Sequence, residues 1–355
     1  MFTLHDLGYF DELENFRVSN NLLNFEVGRI ISEHKERYTV KTIDGEFEGE
    51  IIGNLRFTAK NRNDFPAVGD WVSILKYDSC KVIIYNVLPR KNVIERQAVG
   101  KFGEKQIIAS NIDFAFIVQA VGRDFNVNRI ERYLTICNAA GVAPIVVINK
   151  IDLISAADLQ IISSKISERI KNIPIIFISN ETKSGFENLV NFIEKGKTYC
   201  LLGSSGVGKS TILNNLVGKS VMQTNAISET INRGKHVTSH RHLFVLNSGG
   251  LLIDNPGMRE VGLTNVESGL EITFTQISEL AINCKYADCK HINEIGCAVL
   301  KALENGEIDE GSYENYLKLE REKQHFEMDT AEKRKKDKSF GKLMKQYKKD
   351  VKKDF

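Results

Sequence analysis

Nine consecutive residues, 203–211, have the composition of a phosphate-binding loop. They read Gly-Ser-Ser-Gly-Val-Gly-Lys-Ser-Thr and fit the pattern Gly-x4-Gly-Lys-[Ser/Thr] without a mismatch. An apolar run of strand type precedes the loop, and apolar residues at helical spacing follow it. In that setting backbone N–H groups and a helix N-terminus would bind phosphate oxygens, Lys209 would reach the outer phosphates and Ser210 would ligate Mg²⁺. The alternative, a chance glycine-rich turn, does not explain the flanking pattern.

A second motif, Asn149-Lys-Ile-Asp152, directly follows an apolar run and predicts which base is bound. A carboxylate at Asp152 can accept hydrogen bonds from both the ring N–H and the amino group of guanine. Adenine has no such donor pair, so it would leave a desolvated carboxylate unpaired, at a cost of about 1–3 kcal/mol. Asn149 would contact the base and hold the loops together, and the Lys150 stem would lie on the ring. The alternative is a polar strand end without a ligand.

A third motif lies downstream, where an apolar run ends in Asp254-Asn-Pro-Gly257. Asp254 would hold Mg²⁺ through water, and the Gly257 N–H would sense a γ-phosphate. The polar stretch 220–240 is a candidate for a nucleotide-responsive loop in which Thr238 would ligate Mg²⁺. Thr224, Thr230 and Ser239 are alternatives for that ligand.

Hydrolysis requires a group that orients water, and many GTPases place a Gln just after the Asp-x-x-Gly glycine. This chain has Met258 there, whose thioether cannot do so. His236 is the nearest candidate, and an exposed loop histidine without a role is the alternative. The predicted catalytic residues are Lys209, Thr238 and His236.

The predicted nucleotide site combines these motifs with Ser179-Asn180, which follows another apolar run and would present a backbone N–H to the guanine carbonyl. The predicted Mg²⁺ ligands are Ser210, Thr238 and Asp254. The predicted nucleotide-binding residues are Asn149, Lys150, Asp152, Ser179, Asn180, Gly203, Ser204, Ser205, Gly206, Val207, Gly208, Lys209, Ser210, Thr211, Asp254 and Gly257.

A separate group of residues has the spacing of metal ligands. Three thiols and one imidazole fall within fourteen positions, at Cys284, Cys289, His291 and Cys297. A Cys3His set with four ligands is typical of one closed, structural zinc site. The alternative is three free cysteines near a loop histidine.

The composition of the chain indicates which class of protein contains these motifs. The 355 residues are 42% hydrophobic and 26% charged with a net charge of +2, which is ordinary for a globular protein of two or three domains. The N-terminus lacks a signal-peptide pattern, and no apolar run approaches a membrane span. We therefore expect a cytoplasmic monomer without membrane or DNA partners.

The element pattern predicts three structural regions after a short helical extension, 1–24. Five β-rich runs separated by turn signals predict an all-β barrel over 25–100, with an OB-like barrel as the leading option. Such a barrel can bind nucleic acid or serve only for packing, and we expect Trp71 in its core. Strands then alternate with helices, which predicts an α/β P-loop domain over 101–267, including a helix 129–140 capped by Asn128. A mostly helical zinc-binding region, 268–355, follows.

The last 25 residues are strongly basic. Eleven Lys and Arg residues face four Asp and Glu residues over 331–355, at roughly helical intervals with apolar residues between them. This pattern fits a helix that docks on a phosphate backbone, and a solvated tail is the alternative.

The order of the nucleotide motifs is unusual, because Asn149–Asp152 and Ser179 precede the P-loop. An ordinary GTPase has them after it. This permuted order, together with Gly69-Asp-Trp-Val72 and Gly234-Lys-His-Val-Thr-Ser239, resembles the circularly permuted ribosome small-subunit-dependent GTPase A (RsgA) family over nearly the whole chain. The chain departs from that family's usual pattern in flanking Thr238 with Val237 and Ser239, and in its Asp254-Asn-Pro-Gly257.

The resemblance implies a GTPase that binds the small (30S) ribosomal subunit and its rRNA, and hydrolyses GTP to GDP during late subunit maturation with stimulation by the subunit. It also implies zinc at the cysteine cluster. Two alternatives follow from the residues: a GTP-gated RNA- or protein-binding module in which hydrolysis is incidental, which Met258 supports, and a metabolic P-loop kinase, which Asn149–Asp152 argue against.

Overall fold

The computed structural model describes residues 3–34, 37–59, 61–97, 105–123, 125–218, 241–254 and 266–327. The predicted site residues His236, Thr238 and Gly257 lie outside these ranges, as do Met258 and the basic tail 331–355.

The described residues form strands and helices in the predicted order. The strands are β1 Glu26–His34, β2 Arg37–Lys41, β3 Glu46–Ile51, β4 Trp71–Asp78, β5 Lys81–Val87, β6 Val93–Gln97, β7 Lys105–Ser110, β8 Phe114–Ala120, β9 Ala143–Asn149, β10 Ile175–Phe177, β11 Thr198–Leu202, β12 His242–Val245 and β13 Leu251–Asp254. The helices are α1 Asp11–Ser19, α2 Gly53–Thr58, α3 Val127–Ala140, α4 Ala156–Arg169, α5 Phe186–Asn191, α6 Lys209–Val217, α7 Glu267–Thr273, α8 Thr275–Ala281, α9 Ala298–Glu304 and α10 Glu310–Glu327.

Strands β1 to β5 form a closed barrel. They pair in the order β1-β2-β3-β5-β4, with β4 returning to β1, and all pairs are antiparallel except β3–β5. Alternating apolar residues such as Tyr38, Val40, Val82 and Ile84 fill the interior. Five strands closed in this way confirm the predicted OB-like barrel. Trp71 is fully buried, as expected.

A mostly parallel part of the sheet, here called the second sheet, carries the nucleotide motifs. Its order is β10-β9-β8-β11-β13-β12, parallel except for β12, which also pairs with β1 and so joins these strands to the barrel strands in one continuous sheet. Strands β8, β9 and β11 are almost wholly buried, because helices cover both faces of a parallel sheet. This confirms the predicted α/β domain.

Two features of this region differ from expectation. Helix α3 begins at Val127, so Asn128 lies within its first turn and does not cap it; the Asn128 side chain instead accepts a hydrogen bond from Arg169. Strands β6 and β7 pair with each other and were not predicted. The suggested domain boundary at 100/101 falls between these two paired strands and stays a prediction.

The C-terminal helices dock on helix α3. Gly269 of α7 lies so close to α3 that an added Cβ would be 2.2 Å from the Thr135 carbonyl oxygen. The nearly buried Glu131 carboxylate accepts hydrogen bonds from Arg169 of α4 and from Asn315 of α10. Desolvation raises the pKa of Glu131, and the Arg169 guanidinium opposes that shift. These contacts fix the helical region against the P-loop domain.

A buried arginine joins the barrel to the P-loop domain. Arg29 of β1 is fully buried and donates to the backbone carbonyls of Leu7, Gly69 (3.1 Å) and Asn111 (3.0 Å), and to the Thr198 hydroxyl (2.9 Å). Desolvation lowers its pKa to about 10, against the attraction of Asp113 and Asp70. One side chain therefore joins the N-terminal segment, the barrel and the strand that leads into the P-loop.

Within the described ranges, none of the helices combines the length and apolar character that crossing a lipid bilayer requires.

We expect Arg29→Met to lower the free energy of unfolding by about 3 kcal/mol or more, because it leaves buried carbonyls without donors. Arg37→Met is the matched control, since that arginine side chain is 75% exposed, and its change should stay within about 0.5 kcal/mol. Urea titration of both variants measures the difference. Equal midpoints for the two variants would contradict the assigned role of Arg29.

Candidate functional site

The predicted nucleotide motifs meet at one edge of the second sheet. Strands β9, β10, β11 and β13 are parallel members of that sheet, and each is followed directly by a motif or ends in one. Carboxyl ends of parallel strands share one edge, which is where open α/β sheets bind ligands. The altered chain order therefore does not separate the motifs in space.

The glycine loop after β11 has a backbone that only glycine accommodates. Gly203 has φ +145°, and a Cβ there would lie 2.3 Å from the Val118 carbonyl oxygen. Gly208 has φ +99°, and a Cβ there would lie 2.3 Å from the Asn149 amide nitrogen. Helix α6 starts at Lys209, directly behind the loop. The loop and the helix N-terminus together form a cradle of the kind that binds phosphate groups.

Two cations lie on this loop. The Lys209 ammonium donates to the carbonyls of Gly203 (2.8 Å) and Ser204 (2.6 Å). Arg129, in the first turn of α3, donates to the Ser204 hydroxyl at 3.0 Å. Sequence reasoning missed Arg129, because no motif marks it and only the packing of α3 brings it to the loop.

The base motif contacts the same loop. Asn149 is fully buried and donates from Nδ2 to the Val207 carbonyl at 2.7 Å, while its Oδ1 has no hydrogen-bond partner among the described residues. Lys150 adopts the left-handed conformation, with φ +65°, in a sharp turn after β9. A buried polar atom without a partner is uncommon and marks a place where a ligand or water can bind.

The carboxylate of Asp152 is exposed at this edge of the sheet and is oriented by a hydrogen bond from Ser179. The Ser179 hydroxyl donates to Asp152 Oδ1 and accepts from the Thr182 backbone N–H at 3.1 Å. Asn180, the next residue, donates to the Gly208 carbonyl at 3.2 Å and accepts from Asn215 of α6. The structure thus brings together both base motifs and the P-loop, and Asn215 is a further contact that no motif predicted.

The remaining predicted positions lie around the cradle. Ser210 and Thr211 stand in the first turn of α6, and Asp254 ends β13 in a buried position. The donor set therefore fits a nucleotide with Mg²⁺ as far as it is described, while Thr238, His236 and Gly257 stay predictions outside the described residues.

The cysteine cluster assembles near helices α8 and α9. The ligand atoms of Cys284, Cys289, His291 and Cys297 all lie within 4.8 Å of one another. The Cys284–Cys297 sulfurs are 3.8 Å apart, and His291 Nδ1 lies 3.6 Å and 3.4 Å from those two sulfurs. A tetrahedral zinc with bonds of about 2.3 Å to sulfur and about 2.0 Å to nitrogen places sulfurs about 3.8 Å apart and nitrogen about 3.5 Å from sulfur. The cluster fits that geometry.

Local hydrogen bonds shape the loop of this cluster. The Glu294 carboxylate accepts backbone N–H groups of Lys290, Ile292 and Asn293 at 2.9 to 3.1 Å, which lowers its pKa to about 2. The Tyr313 hydroxyl of α10 donates to the His291 carbonyl at 2.6 Å. These hydrogen bonds hold the ligand loop and join it to α10.

A P-loop, a guanine-type base motif and an Asp-terminated strand on this permuted sheet define a circularly permuted P-loop GTPase. The chain matches the family model of the RsgA GTPase over residues 87–264. It is 40% identical over 342 residues to the small ribosomal subunit biogenesis GTPase RsgA 1 of Bacteroides thetaiotaomicron, spanning 96% of each chain, and 41% identical over 296 residues to RsgA 2 of Listeria monocytogenes, spanning 83% of each. The protein belongs to the RsgA GTPase family, which confirms the resemblance seen in its motifs.

Solved structures agree with this assignment. YjeQ from Thermotoga maritima superposes with a TM-score of 0.63 at 28% identity, over 82% of this chain and 96% of that one. YloQ, described as a circularly permuted GTPase, gives a TM-score of 0.62 at 24% identity over 86% and 97%, which supports the fold alone.

We expect Gly208→Ala to weaken both folding and nucleotide binding, because its Cβ would displace the amides of Asn149 and Asn180. The left-handed backbone adds about 1–3 kcal/mol of strain. Gly53→Ala is the control, since a Cβ there meets nothing within 4 Å. Thermal unfolding and GDP titration of both variants measure the effect, and wild-type affinity in Gly208→Ala would show that the loop geometry is not required.

Proposed function

We propose that the protein is a GTPase that binds the small ribosomal subunit and hydrolyses GTP to GDP and phosphate during late subunit maturation, with the subunit stimulating hydrolysis. The observation that carries this proposal is the convergence of the base motif and the P-loop on one sheet edge in a member of the RsgA GTPase family. Relatives named as small ribosomal subunit biogenesis GTPases support the ribosomal partner.

The residues have separate tasks in this proposal. Asp152, oriented by Ser179, reads the guanine donors, and Asn149 fixes the base loop to the P-loop. Lys209 and the N-terminus of α6 stabilise the phosphate charge. Ser210, Asp254 and Thr238 would hold Mg²⁺, which when bound neutralises the phosphate oxygens. His236 would orient the attacking water.

We infer four units along the chain: an extension at 1–24, a barrel at 25–100, a permuted GTPase domain at 101–267 and a zinc-binding helical domain with a basic tail at 268–355. The basic tail and the barrel are the surfaces proposed to contact rRNA, since clustered Lys and Arg bind phosphate backbones.

GTP hydrolysis by the full-length protein should rise strongly when small ribosomal subunits are added, and the stimulation should fall with added salt because phosphate contacts are screened. Large subunits and ATP are the controls, and neither is expected to give this response. Steady-state phosphate release measures the rates. Equal stimulation by any RNA would replace the ribosomal proposal with a GTP-gated binding module.

We further propose one structural zinc ion at Cys284, Cys289, His291 and Cys297. Cys297→Ser should reduce bound zinc from about one ion per chain to none, because a closed site needs all four ligands. Cys80→Ser is the matched control, since Cys80 is an exposed thiol on the barrel. Elemental analysis of both purified variants measures the metal. Full zinc content in Cys297→Ser would refute this ligand set.

A further inference from the structure

We propose that Asn180 is a positioning residue that ties the base-recognition loop to the P-loop and slows the release of guanine nucleotide. The proposal rests on the proposed function, because it concerns the same nucleotide site. We call the group formed by the Asn180 side chain, the Asn215 side chain and the Gly208 carbonyl the amide brace.

The amide brace connects three parts of the site. Asn180 follows β10 and is 8% exposed. Its Nδ2 donates to the Gly208 carbonyl at 3.2 Å, and its Oδ1 accepts from Asn215 Nδ2 at 3.2 Å. A carbonyl oxygen can only accept a hydrogen bond, so the Gly208 carbonyl must face the Nδ2 end of the Asn180 amide. The Oδ1 end must then face a donor. Asn215 supplies that donor.

A second amide repeats the arrangement from the neighbouring loop. Asn149 Nδ2 donates to the Val207 carbonyl, which directly precedes Gly208. Two side chains from the two base loops therefore bind successive carbonyls of the P-loop. The fit is tight, because a Cβ on Gly208 would lie 2.3 Å from the Asn149 amide nitrogen and 2.9 Å from that of Asn180.

This arrangement resists opening of the loop that contains residues 179 and 180. In the proposed function a guanine base lies against the backbone of that loop, and we infer that its release requires the loop to move away from the P-loop. The movement must break both hydrogen bonds of the buried Asn180 side chain. Buried hydrogen bonds that are lost without replacement raise the free energy of the open state. The brace therefore acts on the rate of release.

The side chain does not read the base. Both ends of the Asn180 carboxamide are occupied by protein groups, so its effect should be the same for any purine that the loop covers. Asp152, in contrast, is exposed at the sheet edge, and its proposed contact includes the guanine amino group. Inosine diphosphate lacks this amino group and so separates the two roles.

The test measures dissociation of GDP and of inosine diphosphate from the full-length protein. Asn180→Ala should accelerate both by about 3- to 10-fold for each lost hydrogen bond. Asn215→Ala should have a smaller effect that largely disappears when combined with Asn180→Ala. Asn180→Asp should release faster than Asn180→Ala, because a carboxylate facing the Gly208 carbonyl repels it. Asn188→Ala, an exposed amide on α5, is the control and should match the wild type.

Each outcome bears on the proposal. Equal acceleration for both nucleotides together with the non-additive pair supports the brace. Acceleration for GDP alone overturns it in favour of direct base contact, and unchanged dissociation in a folded Asn180→Ala overturns it outright. If Asn180→Ala fails to fold, Asn215→Ala and Asn180→Asp carry the same comparison. A wild-type protein that binds no GDP contradicts the proposed function itself. Tight GDP binding whose dissociation is unchanged by Asn180→Ala contradicts only the role of the amide brace.

Discussion

The fully buried guanidinium of Arg29 is the interaction on which the joining of the barrel to the P-loop domain depends. A charge removed from water is costly unless it is hydrogen-bonded, and here the guanidinium donates to backbone carbonyls of three segments and to the hydroxyl of Thr198. Thr198 is the first residue of β11, and the P-loop begins where β11 ends. The barrel is therefore not held by a linker alone. The cation fixes it to the start of β11, the strand that leads into the P-loop. The pairing of β1 with β12 continues the same connection through the backbone.

The permuted chain order changes what is attached to the nucleotide site. Because β8 to β10 precede the P-loop strand, the half of the sheet that carries the proposed base motifs follows the barrel, and the helical region follows Asp254. That region then returns to α3, where Glu131 is shared by Arg169 and Asn315 and where Arg132 pairs with Glu322 of α10. Helix α3 also carries Arg129 to the P-loop. Helix α3 thus contacts both the P-loop and the C-terminal helices α7 and α10, so the helical region is packed against an element of the proposed nucleotide site.

Much of this site could be predicted because its functional side chains lie in short, continuous segments of the sequence. The P-loop, the base motif and the Cys3His set each place their groups through local backbone geometry, so spacing along the chain nearly determines spacing in the molecule. The barrel followed from turn signals between alternating strands. Arg129 and Asn215 could not be predicted, because each reaches the P-loop only through tertiary packing. The predicted cap at Asn128 was wrong for the same reason. Its side chain binds Arg169 of a different helix, and local sequence does not indicate that hydrogen bond.

Contacts within the protein already order side chains at both ends of the proposed nucleotide site. On the proposed base side, amides of Asn149 and Asn180 already bind P-loop carbonyls and Ser179 already orients Asp152, so a base there would meet side chains that folding has already ordered. On the phosphate side, the Lys209 ammonium is bound to the carbonyls of its own loop. A phosphate bound by Lys209 would accept a charge-assisted hydrogen bond, which is stronger than a hydrogen bond to a neutral carbonyl. We therefore expect both ends of the proposed site to offer a nucleotide groups that folding has already placed, and we expect a partner that shifts Lys209 or α3 to act on its phosphate end.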